Sequence, residues 1–326
     1  MKISRRQALG TIGAVSGSTL LSHCGPPAST EEPSTPEVTV QKSDHSVSAF
    51  TYCLNTSTIR EQKLGLIQEI ETAAEAGYDG IEVWIPTMQT FMEGGGKLAD
   101  VKKLSEDLGI KIENAIGFAP WIVDDDATRA KAFEQAKREM DTLAQIGCPR
   151  LAAPPAGATQ EPGLDLLAAA DRYAQLLELG ETMGVIPQLE VWGFSANLHR
   201  LGQTTYVAME SGHPKARILP DIYHLYKGGT DFTALKMLSG ESIEIFHMND
   251  YPADPPRETM TDKDRVFPGD GVAPLDEILQ TLAASGTPKV LSLELFNPEY
   301  WKMEASLAAE TGLEKMKAAV KSAVNS

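Results

Sequence analysis

A single-domain (β/α)8 TIM barrel is the fold the sequence predicts, and three observations predict it. From residue 47 onward, short apolar segments of β-forming residues alternate with amphipathic ones whose apolar positions recur every three or four residues, the mark of βα units around a parallel sheet. The β-like segments number eight, the count that closes such a barrel. The chain of 326 residues, 42% hydrophobic, is long enough for one barrel-sized core.

The eight expected strands are residues 48–54, 80–85, 111–118, 150–155, 185–192, 217–223, 243–249 and 290–296. Between them, helical periodicity covers residues 63–77, 129–147, 163–184 and 274–286, each run ending at a glycine, as helix C-termini commonly do. Pro187 and Pro220 fall inside the fifth and sixth strands, where a missing N–H weakens a ladder. Cys53 and Cys148 fall at opposite ends of the expected barrel and read as small buried apolar residues rather than a disulfide.

The barrel spans residues 47–326, and what precedes it reads as a targeting segment and a tether. Residues 1–24 open with Lys2, Arg5 and Arg6 and continue as an uncharged Gly/Ala-rich run, which resembles a twin-arginine export signal and is too short and glycine-rich to span a membrane. Cys24 stands where a lipoprotein signal has its lipidated cysteine, so a lipid anchor there is the one membrane contact the sequence offers. Residues 25–46, rich in Pro, Ser, Thr and Glu, read as a flexible, disordered linker. The expected location is the periplasm or the outer side of the inner membrane. Oligomeric state has no signal in the sequence.

Charge narrows the partners. With 29 Lys and Arg against 45 Asp and Glu, the net charge is −16, which excludes nucleic acid and anionic membrane surfaces on electrostatic grounds and favours a neutral or cationic small ligand. Four of the expected strands carry an ionisable residue near their C-terminal end: Glu190, Asp221, His247 and Glu294. Taken singly, each is an ordinary ion-pair or core residue. Barrel closure brings these ends to one rim, however, where active sites of this fold sit. Three carboxylates and an imidazole in one place need a cation, and the donor set favours Mn²⁺, with Mg²⁺, Co²⁺ or Zn²⁺ as alternatives. Glu82 falls in the second strand, positioned for a substrate hydroxyl or a structural partner. Trp84 and Trp121 follow the second and third strands and offer an apolar wall to a sugar face.

The ordered Glu, Asp-x-x-His, His and Glu on strands five to eight, with "RVFPGDG" at 265–271, resemble the xylose isomerase-like barrel superfamily of sugar isomerases and epimerases, over nearly all of the chain after residue 47. The resemblance implies that Glu190, Asp221, His247 and Glu294 ligate one divalent metal. It also implies that Glu190 and Glu294 transfer protons on a carbohydrate substrate, and that His224 and Arg265 bind substrate oxygens. Ala196 replaces a second Glu that the ketose 3-epimerases of this group carry, so their ketose recognition does not carry over.

The expected activity is therefore a metal-dependent sugar isomerase or epimerase acting by proton transfer next to a carbonyl. A metal-dependent lyase or dehydratase on a keto-sugar, glycoside or cyclitol is the alternative, and a non-catalytic sugar-binding barrel comes third. The nuclease branch of the superfamily needs additional histidines on early strands, and this chain has none between His45 and His199. The expected mouth segments carry no cluster of Lys and Arg for a phosphate.

Overall fold

The computed structural model describes residues 49–325. The expected export signal, Cys24 and the linker lie outside the described residues.

Eight parallel strands form the sheet: β1 (Phe50–Asn55), β2 (Gly80–Trp84), β3 (Lys111–Ile116), β4 (Arg150–Ala153), β5 (Ile186–Glu190), β6 (Ile218–Leu219), β7 (Ile245–Met248) and β8 (Lys289–Leu293). Their order is β6-β5-β4-β3-β2-β1-β8-β7. The ends meet where Asp221, just past β6, forms a parallel bridge with His247 of β7, and His247 N–H donates to Pro220 O at 2.9 Å. That contact closes the barrel.

Around the sheet run α1 (Leu66–Glu75), α2 (Ile85–Glu93), α3 (Leu98–Leu108), α4 (Asp126–Gln145), α5 (Leu166–Met183), α6 (Leu201–Glu210), α7 (Ile222–Lys227), α8 (Leu275–Ala284) and α9 (Ala305–Asn325). The four helical runs expected from periodicity correspond to α1, α4, α5 and α8. Asp125 and Asp165 start α4 and α5 by accepting hydrogen bonds from backbone N–H groups of the first turn, and Gly184 ends α5 at φ +73°, a conformation that favours glycine.

The sixth strand departs most from expectation. It spans two residues rather than 217–223, because Pro220 has no N–H to extend the ladder and Asp221 N-caps α7, accepting from His224 N–H at 2.7 Å. His224 therefore sits in a helix and not in a strand-end loop. Pro187 is accommodated inside β5: β5 pairs with β6 only from Leu189 onward, so the missing donor falls before that ladder starts. Cys53 and Cys148 are buried free thiols.

The barrel interior is layered. At its N-terminal end Arg150 bonds Glu113 (2.9 Å) and Glu244 (2.6 Å), and Arg217 bonds Glu244 from the other side (2.9 Å). Above this lies an apolar layer of Cys53, Ile116, Ala152, Leu219, Ile245 and Val290. Above that, toward the C-terminal ends, the interior turns acidic.

Outside the barrel wall, Glu69 of α1 is buried with Oε2 unpartnered, and burial, opposed by Arg60, pushes its carboxyl up to about 7. A folded-state value raised above the unfolded one favours the protonated native form, so this contribution is complete at acid pH and is lost as pH rises through about 7. Glu69→Gln is expected to gain on the order of 3 kcal/mol over the wild type at pH 8 and almost nothing at pH 4. Urea unfolding at the two pH values checks it; an equal gain at both would show that the effect is not titration.

Candidate metal and active site

The acidic layer is built around His247, which β7 points inward with no exposed surface. Its Nε2 lies 3.0 Å from Glu82 Oε2. Its Nδ1 faces three carboxylates: Glu294 Oε2 at 3.2 Å, Asp221 Oδ2 at 3.8 Å and Glu190 Oε1 at 4.0 Å. Strand alternation places them there. Glu82 and Glu190 are inward positions of β2 and β5, while Asp221 and Glu294 continue the inward rows of Leu219 and Ser292 past the ends of β6 and β8. Ligand atoms of Glu190, His247 and Glu294 all lie within 4.8 Å of one another.

Glu82 bonds to protein groups and does not line the cavity described below. Besides His247, its oxygens accept from Asn55 Nδ2 (2.6 Å), Asn114 Nδ2 (2.6 Å) and Ser292 Oγ (2.7 Å), and the residue is wholly buried. Of the two roles open to it in the sequence, the structural one accounts for all of its contacts. Asn55 also donates to Glu294 Oε1 at 3.2 Å, and Asn249 donates to Asp221 Oδ2 at 2.8 Å. Neither asparagine carries a sequence signal beyond its place at a strand end.

Arg265 enters from the loop before α8, almost completely buried. Its Nη1 donates to Asp221 Oδ2 (3.0 Å) and Glu294 Oε2 (2.8 Å), and its Nη2 donates to Asp262 Oδ1 (2.5 Å) and lies 3.1 Å from His224 Nε2. Its Nε has no partner. Burial opposes the arginine's charge, but Asp221, Asp262 and Glu294 outweigh burial and raise its affinity for the proton further. Burial, then Arg265, pushes His224 below the ordinary histidine range, so its imidazole is neutral.

The two glutamates are driven apart. Burial, reinforced by the charge of Glu294, pushes Glu190 up to about 8. Burial acts on Glu294 too, but His247 and Arg265 overcome it and hold that carboxyl far below the usual range. For His247, burial disfavours charge, yet Glu82 and Glu294 keep the imidazole well above its ordinary value.

A cavity of about 180 Å³ opens above this cluster, lined by Glu190, Glu294, Arg265, His224, Asp262 and a girdle of aromatic rings. The girdle runs Phe296–Trp84 (6.0 Å between centroids), Trp84–Phe118 (5.4 Å), Phe118–Trp192 (6.1 Å) and Trp192–Phe194 (5.2 Å), and Phe194 reaches His224 (5.6 Å). Trp84 thus stands in the wall where the sequence placed it. Trp121 does not: it is buried outside the barrel wall, donating to Pro154 O at 3.0 Å and packing on Tyr173 of α5. Phe118, Trp192 and Phe296 close the expected strands 111–118, 185–192 and 290–296 and read there as strand residues, but the strands end at Ile116, Glu190 and Leu293, which puts these rings and Phe194 in the loops of the mouth.

The residues fit a divalent cation. His247 Nδ1 and Glu190 Oε2 are buried without any hydrogen-bond partner, and Nδ1 is turned toward three carboxylates while Nε2 is fixed by a fourth, the arrangement that orients a metal-binding histidine. Glu190, Asp221, His247 through Nδ1, and Glu294 would hold the ion. Replacing Glu82 by Gln is therefore expected to weaken metal affinity about 10- to 100-fold while leaving the ligand residues in place. Titration of chelator-treated protein with Mn²⁺ and Zn²⁺, followed by elemental analysis, measures this; unchanged affinity would confine Glu82 to packing.

The chain is similar to several known proteins. Inosose isomerase from Bacillus velezensis is 29% identical over 275 residues, 82% of this chain and 96% of that protein. A 3-dehydroshikimate dehydratase from Pseudomonas aeruginosa is 26% identical over 77% of this chain, which matches 39% of that longer protein. Among solved structures, the IolI protein with a bound zinc atom superposes with a TM-score of 0.78 at 25% identity, over 83% of this chain and 98% of that one. The family model of the xylose isomerase-like TIM barrel matches residues 70–319, and the chain belongs to that family.

Proposed function

We propose that the protein is a divalent-metal-dependent isomerase of a small keto-polyol, a keto-cyclitol or ketose, and that it moves a proton from the hydroxyl-bearing carbon next to the carbonyl to the carbonyl carbon, while the hydroxyl proton passes to the carbonyl oxygen. The observation that carries this reading is the pair Glu190 and Glu294: two buried carboxyl groups that line one ligand cavity together with Arg265. The isomerase relative that spans most of the chain supports both the reaction class and the cyclitol substrate. A cavity of about 180 Å³ is small beside the roughly 300–1,000 Å³ of sites for drug-sized ligands, and suits one six-carbon ring.

Removing a proton from carbon next to a carbonyl puts negative charge on the carbonyl oxygen. A bound divalent cation, for which Mn²⁺ is our first choice from the oxygen-rich donor set, would supply Lewis-acid stabilisation of that charge. Glu294, which lines the cavity beside Arg265, takes the proton. Glu190, which lines the same cavity, returns one at the former carbonyl carbon through Oε2, which no protein group engages, and exchange with solvent resets the two carboxyl groups. The free Nε–H of Arg265 is left to donate to a substrate oxygen, and the aromatic girdle covers the apolar C–H faces of the ring and excludes water.

The same pair serves a dehydratase if a β-hydroxyl takes the proton from Glu190 and leaves as water. The dehydratase relative keeps that second reading open. The products tell the two apart, since only one of them has lost water.

Incubation of the metal-loaded protein with an inosose and a ketose panel in deuterium oxide should give solvent deuterium at carbon next to the carbonyl. Glu294→Gln should lower the exchange rate by about 10²- to 10⁴-fold with an unchanged circular dichroism spectrum and melting temperature. Exchange at the wild-type rate would take Glu294 out of the mechanism.

A further inference from the structure

Arg60 belongs to the 3₁₀ segment Thr56–Gln62 that follows β1, at the C-terminal end of the barrel, and reaches the cavity through two of its lining rings. Its side chain is exposed, and its guanidinium carbon lies 4.8 Å from the ring centroid of Trp84 and 6.0 Å from that of Phe296. Those two rings are in edge contact with each other and both line the cavity, so the cation stands at the junction of two of its walls. The platform beneath it is fixed. Trp84 Nε1 donates to Asn55 Oδ1 at 2.8 Å, and the amide nitrogen of Asn55 is bonded to Glu82 and Glu294, which ties the position of Arg60 to that of the candidate base.

Stacking holds a guanidinium by its face and leaves its N–H donors at the edge available. Among the described residues the Arg60 guanidinium has no hydrogen-bond or ion-pair partner. Its charge influences buried Glu69 at a distance but does not bond it. Arg265, the other arginine at this mouth, is in the opposite condition, with both Nη groups committed to the protein's own carboxylates and histidine.

We propose that Arg60 recognises a carboxylate on the substrate, so that the ligand this pocket selects is a polyhydroxy keto acid in preference to the neutral keto-polyol of the same skeleton. The proposal rests on the reading of the pocket as a site for a ketone flanked by hydroxyls and adds a carboxylate to that substrate class. A single free guanidinium pairs with a carboxylate through two parallel N–H···O bonds and balances its one charge, whereas a phosphate dianion would keep one charge unanswered. The chain's net charge of −16 repels anions at long range, which is why composition alone favours a neutral or cationic ligand. An acidic substrate of such a protein needs a local cation whose charge is not already consumed, and Arg60 supplies one.

Gluconate and glucitol share a carbon skeleton and differ by a carboxylate in place of a CH₂OH, and neither has a carbonyl to react. Calorimetric titration of the full-length, metal-loaded protein with each is expected to show gluconate bound about tenfold tighter or more, the gain of one charge-assisted contact. Arg60→Gln should remove that advantage and Arg60→Lys should keep part of it, with glucitol affinity unchanged in both and melting curves confirming that each variant is folded. Equal binding of the two ligands by the wild type would overturn the proposal, and so would a gluconate advantage that survives Arg60→Gln. The outcome is separable from that of the isomerase reading. A gluconate preference without deuterium exchange on any ketone would remove the isomerase and leave Arg60 as an acid-binding residue; exchange on neutral ketones without a gluconate preference would do the reverse.

Discussion

The structure at the mouth of this barrel is governed by one electrostatic constraint: four carboxylates, Glu82, Glu190, Asp221 and Glu294, surround a single buried imidazole. Like charges this close in a low-dielectric interior repel strongly unless cations, protons or hydrogen-bond donors answer them. The protein uses all three. Arg265 bridges Asp221 and Glu294, burial and the charge of Glu294 push Glu190 toward its protonated form, and Asn55, Asn114, Asn249 and Ser292 donate to the remaining oxygens. A divalent ion at His247 Nδ1 would join this set as a further counter-charge, and the unpartnered atoms face the position where it would serve.

This constraint divides the barrel into two working ends. At the N-terminal end the charges of Arg150, Arg217, Glu113 and Glu244 alternate in sign and pair off, so that layer stabilises without reacting. At the C-terminal end acids outnumber bases and protonation states are pushed apart, which is the condition for chemistry. The apolar layer between them, from Cys53 to Val290, separates the two fields. The proposed isomerisation and the alternative dehydration would both begin from the upper end's arrangement, because each needs two carboxyl groups within one site, one to take a proton and one to give it. Which of them follows depends on the group at the substrate's β-carbon, a property of the ligand and not of these residues.

The parts legible in the sequence were those that strand alternation dictates. Glu190, Asp221, His247 and Glu294 stood out because each falls at the end of an apolar β-segment, and closure of the barrel then made them neighbours. Arg265 was legible through its loop motif. The rest depended on facts that no local pattern encodes. Whether Glu82 faces a ligand or a histidine turns on the opposite wall of the barrel, which β7 provides. The aromatic girdle is assembled from the end of β2 and three separate loops, while Trp121, equally aromatic and also in a loop, turns outward onto α5. Arg60 looked like any surface arginine until the rings beneath it were found to line the cavity.

The sixth strand shows why fold and site cannot be separated here. Cut short by Pro220, β6 has too few residues to pair along the length of β7, so the barrel closes through the backbone of Asp221 and His247, two of the four candidate ligands. The same Asp221 gives Oδ1 to the first turn of α7, which fixes His224, and Oδ2 to Asn249 and Arg265. Its side chain thus sets the positions of a histidine, an asparagine and an arginine at the site, while its backbone holds the seam. A longer sixth strand would close the barrel with ordinary ladder bonds, but it would carry the chain past the point where α7 begins and move His224 away from Arg265. The short strand keeps the turn into α7 at the rim, and the seam of the barrel therefore runs through its reactive end.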